Sequence, residues 1–317
     1  MKISVVVPVY GCPGAVEPLH DRLVQEIEKI TEDFEIILVN DGCPKHSWEQ
    51  IEKVCKEDKR VVGINLSRNF GQLNATNAGI DYSTGEYVIL MDCDLQDPPE
   101  AIGELYRKVQ EGYDIVFVGR ENRKDSKIVK FLSRQFYNVY NYMVEGYYNP
   151  DIGNYCIVRR KVVNEYCTLP EHKKSFTTLL SWMGYRTTML MIEAEERLEG
   201  KSSYNMRKKI SLAMDMITFQ SNKPLLFFIK LGLMIGALAV VYLIYQICVF
   251  AFVGGAPSGW MSLIAVVSLL GGIQLVSIGV IGIYIGNIFN ETKNRKSYFI
   301  QEVLNGNEEE ACSNRGK

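Results

Sequence analysis

Apolar and polar positions change period repeatedly along this chain. Residues 3–8 form an almost unbroken apolar run, as expected for a strand covered on both faces. Residues 15–30 switch to helical spacing, with Val16, Leu19, Leu23, Ile27 and Ile30 on one face. A second buried strand is predicted over 34–39, ending in Asn40-Asp41-Gly42. Helices follow over 48–57, 72–80 and 99–110, the last opened by proline, and strands over 61–66, 87–91 and 114–118. This βαβα alternation predicts an α/β fold, a Rossmann-like, mostly parallel sheet with helices on both faces. Residues 155–158 and 187–192 read as late strands.

Beyond Arg120 the pattern changes. Residues 121–127 are a charged loop, and 128–148 are amphipathic and rich in aromatics, with Lys127, Lys130 and Arg134 as basic members. Such a segment suits a membrane interface, and an ordinary packing helix would show the same pattern. Residues 210–219 place Ile210, Met214 and Ile217 on one face, just after Arg207-Lys208-Lys209, and read as a juxtamembrane amphipathic helix. Two long apolar runs follow, 225–253 and 263–289. Each can supply the roughly 20 residues that a span requires, and a buried hairpin of a soluble core is the competing reading. Lys230 can snorkel to the interface. Basic residues flank the outer ends of the pair (Arg207, Lys208, Lys209 and Lys223 before it; Lys293, Arg295 and Lys296 after it), whereas the connector 254–260 has none and ends in Trp260. The positive-inside rule then predicts a multi-pass protein with both termini cytoplasmic. The expected organisation is a soluble domain over 1–205, a juxtamembrane helix over 206–223, a two-helix transmembrane hairpin over 224–290 and a polar tail over 291–317. From about Tyr298 that tail is expected to be disordered.

Composition narrows the picture. The formal net charge is −2, which gives a nucleic-acid partner no support. The 8 cysteines show no CxxC pair and no zinc-like spacing with histidine, so reduced thiols are expected. Met1-Lys2 leads directly into the first strand, and no cleavable signal peptide is expected. Glycines in the apolar runs, among them Gly232, Gly236, Gly282 and Gly286, offer small faces for packing within the hairpin or within a homo-oligomer.

The chemistry concentrates in Met91-Asp92-Cys93-Asp94-Leu95-Gln96-Asp97-Pro98-Pro99. The strand before it delivers two carboxylates, spaced i and i+2, to its C-terminal end, where open α/β sheets bind ligands. Paired hard oxygen donors suit Mg²⁺ or Mn²⁺ and, through the ion, a diphosphate. A plain acidic loop is the alternative.

Five segments together resemble the family 2 glycosyltransferases that act on polyisoprenyl phosphates. They are Val5-Val6-Val7-Pro8-Val9-Tyr10, Val39-Asn40-Asp41-Gly42, Leu66-Ser67-Arg68-Asn69-Phe70-Gly71-Gln72, residues 91–99, and Arg197-Leu198-Glu199-Gly200-Lys201-Ser202-Ser203-Tyr204. The resemblance covers about residues 1–290 and implies a glycosyltransferase-A type catalytic domain at the cytoplasmic face of a bacterial inner membrane. It implies a nucleotide-sugar donor, by resemblance a UDP-sugar, and a polyprenyl phosphate acceptor such as undecaprenyl phosphate. By the same resemblance, Pro8, Tyr10, Asp41, Asn69 and Asp92 surround the nucleotide. Asp92, Asp94 and Gln96 bind Mg²⁺ or Mn²⁺, and Arg120, Arg134 and Arg197 hold the acceptor phosphate. Asp94, Asp151 and Arg120 stand as its catalytic residues.

Two departures from the family pattern stand out. Asp151-Ile152-Gly153-Asn154 carries Asn154 where the family often has a second acid, a candidate base; asparagine cannot serve as one. In the late loop, Lys201 and Ser203 stand where the family usually has an acid and then a lysine. Two rival readings remain: a transferase with another lipid or glycan acceptor, and an inactive scaffold with a retained sugar-nucleotide fold.

Overall fold

In a computed structural model of the chain, the described residues are 2–121, 142, 152–171, 174–193, 221–253, 259–293 and 295–306. They divide into two compact units. One draws on residues 1–137, 146–203 and 295–317, the other on 138–145 and 204–294.

The first unit is built on one sheet. Its strands are β1 (Ile3–Val9), β2 (Phe34–Asn40), β3 (Val61–Leu66), β4 (Tyr87–Leu90), β5 (Ile115–Glu121), β6 (Ile152–Arg159), β7 (Thr187–Glu193) and β8 (Ile300–Leu304), in the order β7-β5-β6-β4-β1-β2-β3-β8. The centre is parallel, with β1 pairing to both β2 and β4, and β2 to β3. β6 runs antiparallel to β4 and β5, and β8 antiparallel to β3, so the sheet as a whole is mixed. Among the described residues of this unit the α-helices are α1 (Val16–Ile27), α2 (Ser47–Glu57), α3 (Gln72–Tyr82), α4 (Ile102–Gln110), α5 (Arg160–Thr168) and α6 (Phe176–Trp182).

Why the strand runs are apolar at every position is visible in the two cores. Alternate residues point to opposite faces of a strand. Val5 and Val7 pack with Leu19, Leu23, Ile51 and Leu105 from α1, α2 and α4. Val6, between them, packs with Ala75, Ala78, Val162 and Phe176 from α3, α5 and α6. The result is a three-layer α/β/α unit. At the N-terminal ends of the strands, buried Glu35 accepts hydrogen bonds from the Ser4 hydroxyl at 2.6 Å and the Thr84 N–H at 2.7 Å, and pairs with Lys2 at 2.7 Å. Burial pushes its carboxyl up, but these donors outweigh burial and leave it below its ordinary value.

The second unit contains α7 (Lys223–Val253) and α8 (Trp260–Thr292). Both are long and apolar enough to cross a membrane. Their stretches Lys223–Tyr242 and Leu269–Thr292 have mean hydropathies of 2.3 and 1.9 and are 0% buried. A hairpin inside a soluble core would bury these residues.

Two differences from the sequence reading have physical causes. α5 and α6 were not anticipated; at 9 and 7 residues they are too short for a helical period to stand out. The chain after Tyr298 was expected to be disordered, yet residues 300–304 form β8 on the open edge of β3. Residues 295–306 accordingly belong with the sheet rather than to a separate tail. The amphipathic segments expected at 128–148 and 206–223 lie outside the described residues, apart from Tyr142 and residues 221–223.

Candidate active site

The C-terminal ends of β4, β1, β2 and β3 lie side by side, and each opens into one of the segments singled out by sequence. After β4, burial alternates. Met91, Cys93, Leu95 and Asp97 face inward, whereas Asp92, Asp94 and Gln96 are half-buried. Burial thus alternates through the turn that follows the strand and leaves three oxygen-bearing side chains half-buried. Leu95, at φ 58°, bends the segment, and the Gln96 N–H donates to Asp94 Oδ1 at 3.2 Å.

Asp92 is held by two primary amides. Gln72, the first residue of α3, donates from Nε2 to Asp92 Oδ1 at 2.8 Å. Asn154 Nδ2 lies 3.2 Å from Oδ1 and 3.4 Å from Oδ2. The second contact follows from register. Leu90 pairs with Cys156 across the antiparallel β4–β6 ladder, so two residues further on Asp92 meets Asn154. Where an acid was expected, the chain places a neutral donor against the carboxylate.

Asp41, 3% exposed at the end of β2, bridges to the loop after β3. Its Oδ1 accepts the Phe70 N–H at 2.7 Å and its Oδ2 the Gly71 N–H at 3.0 Å. Burial pushes its carboxyl up, and those N–H groups together with Arg68 offset the rise only in part. The two loops approach so closely that a Cβ on Gly42 would lie 2.5 Å from backbone atoms of Arg68 and Asn69, and Gly42 itself has φ +59°. Only glycine fits that position without displacing the loop.

Neighbouring groups shape the rest of the rim. Pro8 is buried in β1 opposite Val39, and Tyr10 is 52% exposed just beyond the strand. Asn69 is exposed, and its carbonyl accepts from Arg68 at 3.0 Å. The Cys43 sulfur accepts from the Gly11 N–H and the Ser47 hydroxyl, each at 3.1 Å. Burial raises that thiol, but these donors outweigh it and bring it below the ordinary thiol value. Arg120 sits in β5 opposite Ile192, and its backbone lies at the same end of the sheet as Ile152. Asp151, Arg134 and Arg197 lie outside the described residues, as does the late loop.

The donor set suits a hard divalent cation in part. Among the described residues, no three His, Cys, Asp or Glu side chains gather to hold a metal unaided. Asp92 and Asp94 offer carboxylate oxygens and Gln96 an amide oxygen. Such a set fits Mg²⁺ or Mn²⁺ if phosphate oxygens and water complete the shell, the common arrangement for Mg²⁺. Two features were missed by the sequence reading. Gln72 stood in a quoted motif without a role, and Asn154 was taken as a loss rather than as a partner of Asp92.

Comparisons with known proteins give the family and the fold. The profile described as glycosyl transferase family 2 matches residues 4–167. An uncharacterized glycosyltransferase of Synechocystis is 37% identical over 304 residues, covering 96% of both chains. A prophage bactoprenol glucosyl transferase homolog of Escherichia coli is 34% identical over 305 residues, covering 96% of this chain and 99% of that one. The bactoprenol glucosyl transferase of Shigella phage SfX is 35% identical over 303 residues, covering 95% and 99%. Among solved structures, mannosyl-3-phosphoglycerate synthase from Rubrobacter xylanophilus shares the fold, with a TM-score of 0.51 and 12% identity over 71% of this chain and 74% of that one.

Proposed function

Because the chain belongs to glycosyl transferase family 2, we propose that it is a membrane-anchored inverting transferase, carrying a sugar from a nucleoside diphosphate donor to a polyprenyl phosphate at the cytoplasmic face of a bacterial membrane. The observation that carries this reading is the half-buried pair Asp92 and Asp94, with Gln96, in the turn after β4, in a chain that also has two membrane-length helices. Relatives named as bactoprenol glucosyl transferases, matched over nearly their full length, support the lipid acceptor. The strands before the helix pair and β8 after it lie in one sheet. An inserted pair must then return the chain to the side it left, which supports termini on a common side.

In this reading the acceptor phosphate oxygen attacks the anomeric carbon, the bond to the diphosphate breaks, and configuration inverts. A phosphate monoester has its second pKa near about 6, so the nucleophile is already largely ionised at pH 7. No residue need remove a proton, and Asn154 in the place of an acid is compatible with that. Asn154 and Gln72 instead hold Asp92 in place. A divalent ion bound by Asp92, Asp94 and Gln96 would neutralise charge on the departing diphosphate. Asp41 keeps the loop after β3 against the end of β2, and its remaining lone pairs can accept from a base N–H or a ribose hydroxyl. Tyr10, Pro8 and Asn69 complete the nucleotide rim. Arg120, Arg134 and Arg197 are assigned to the acceptor phosphate, where a planar guanidinium binds two oxygens at once. Asp151 is assigned to orienting the acceptor.

The test is transfer by purified protein in detergent, with undecaprenyl phosphate, a panel of nucleoside diphosphate sugars and Mg²⁺ or Mn²⁺, the lipid product being read by mass spectrometry. A glycosylated lipid phosphate from one donor, abolished by EDTA, is expected. Donor hydrolysis without a lipid product would reject the acceptor, and turnover untouched by EDTA would reject the metal.

A further inference from the structure

We propose that the segment after the second long helix is a positioning element of the donor site. The proposal rests on the donor-site reading above. Tyr298 holds the C-terminal end of α3, and Phe299 holds the loop before that helix begins. The Tyr298 hydroxyl donates to Asp81 Oδ2 at 2.5 Å, and Tyr298 is 7% exposed within the core under α3. The Phe299 carbonyl accepts the Ser67 N–H at 2.9 Å. The Phe299 ring meets Phe70 with centroids 6.2 Å apart and planes tilted by 44°. On the same Phe70 ring lies the Arg68 guanidinium, 4.1 Å from its centroid. At the far end of β8, Asn305 donates to the carbonyls of Cys55 at 2.6 Å and Val61 at 2.9 Å.

The braced loop is the one that reaches both candidate donor-site acids. Phe70 and Gly71 give their N–H groups to Asp41, and Gln72 gives its amide to Asp92. Ser67, Phe70, Gly71 and Gln72 occupy one short stretch, so freeing the side held by Phe299 loosens the side that holds the acids. Phe299 is 54% exposed, and its ring contributes little to either core. Its placement is explained by what it holds rather than by what it buries. An aromatic pair of this kind shifts a local opening equilibrium by about two- to tenfold. That sets the size of effect expected when the ring is removed.

The experiment uses the full chain in detergent and compares wild type, Phe299→Ala and Asn305→Ala. The last loosens β8 at the end away from the donor loop and serves as the comparison for a general loss of stability. Two quantities are measured: amide hydrogen exchange at Phe70 and Gly71, and affinity for UDP and for GDP in the presence of Mn²⁺. For Phe299→Ala, exchange at those two amides rises by about two- to tenfold and affinity for the bound nucleotide falls by a similar factor, whereas Asn305→Ala changes neither as much. Exchange at Phe70 and Gly71 that matches wild type overturns the brace. Faster exchange with unchanged nucleotide affinity overturns its link to the donor site. If wild type binds neither nucleotide, the donor-site reading itself fails, and exchange alone still decides whether Phe299 braces the loop.

Discussion

Replacing Asn154 tests what the chain does with the position where an acid was expected from the sequence. Its amide lies 3.2 Å from Asp92 Oδ1, and Gln72 provides a second donor to the same oxygen at 2.8 Å. A hydrogen bond to a charged group is worth about 1.5–3 kcal/mol. Groups that orient a metal ligand typically cost about 10–100-fold in metal affinity or activity when removed, the same energy expressed as a ratio. Asn154→Ala and Gln72→Ala should therefore each weaken Mn²⁺ binding in the presence of UDP, and each lower turnover, by about 10–100-fold. Because both act on one carboxylate, the double variant should depart from additivity by at least about 0.5 kcal/mol. Calorimetry gives the affinity and the lipid-product assay gives turnover. Asn154→Asp keeps the shape of the side chain and restores an acid. With an acceptor that is already ionised, it should not raise turnover above wild type. Single variants within twofold of wild type on both measures would refute the positioning role. A faster Asn154→Asp enzyme would refute the claim that the reaction dispenses with a base.

Other outcomes follow from the same geometry. Asp94→Ala removes one of two carboxylates from the proposed metal site, and turnover should fall by about 100-fold or more; near-normal turnover with retained EDTA sensitivity would remove Asp94 from the ligand set. Gly42→Ala combines a left-handed backbone, costing about 1–2 kcal/mol, with a Cβ placed 2.5 Å from the backbone of Arg68 and Asn69. The melting temperature and nucleotide affinity should both drop, and an unchanged pair of values would contradict the close approach of the two loops. Burial raises Asp58, but hydrogen bonds from Arg60 and His20 outweigh it and hold its carboxyl at about 2. A depressed carboxylate stabilises the fold above its unfolded value and loses that contribution as pH falls through the folded value. The stability gap between wild type and Asp58→Asn should thus be full at neutral pH and shrink from the ordinary carboxylate range, near 3.8, toward about 2; a gap constant across that window would argue against the network.

The parts of the fold legible in the sequence were those whose signal is local. A strand covered on both faces announces itself by an unbroken apolar run, as in β1 and β2, and an amphipathic helix by its spacing, as in α1 and α4. β8 has no such signal: five residues, Ile300–Leu304, become a strand because β3 leaves an edge for them. The same division holds at the site. Asp92 and Asp94 were visible because their spacing at a strand end is itself the signal. Asp41 was singled out, but its two backbone donors lie 29 and 30 residues away, across a crossover that no local pattern encodes. Asn154 was recognised as a departure, yet its partner emerges only from the β4–β6 register. Loop-to-loop contacts at strand ends depend on strand order, and a single chain does not spell out strand order.

The position of β8 in the chain also sets a sequence of events during synthesis. Asn305 closes onto Val61 across 244 residues, and both long apolar helices are made in between. At about 5–20 residues per second, a ribosome needs roughly 12–50 s to travel that distance. Throughout that interval the nascent sheet has an uncovered edge at β3, and the loop carrying Phe70 and Gly71 has no Phe299 against it. A chain arrested before its two long helices would hold β1 to β7 but lack β8 and Phe299. The contacts of Phe299 with Ser67 and Phe70 therefore form only after both long helices have been synthesised.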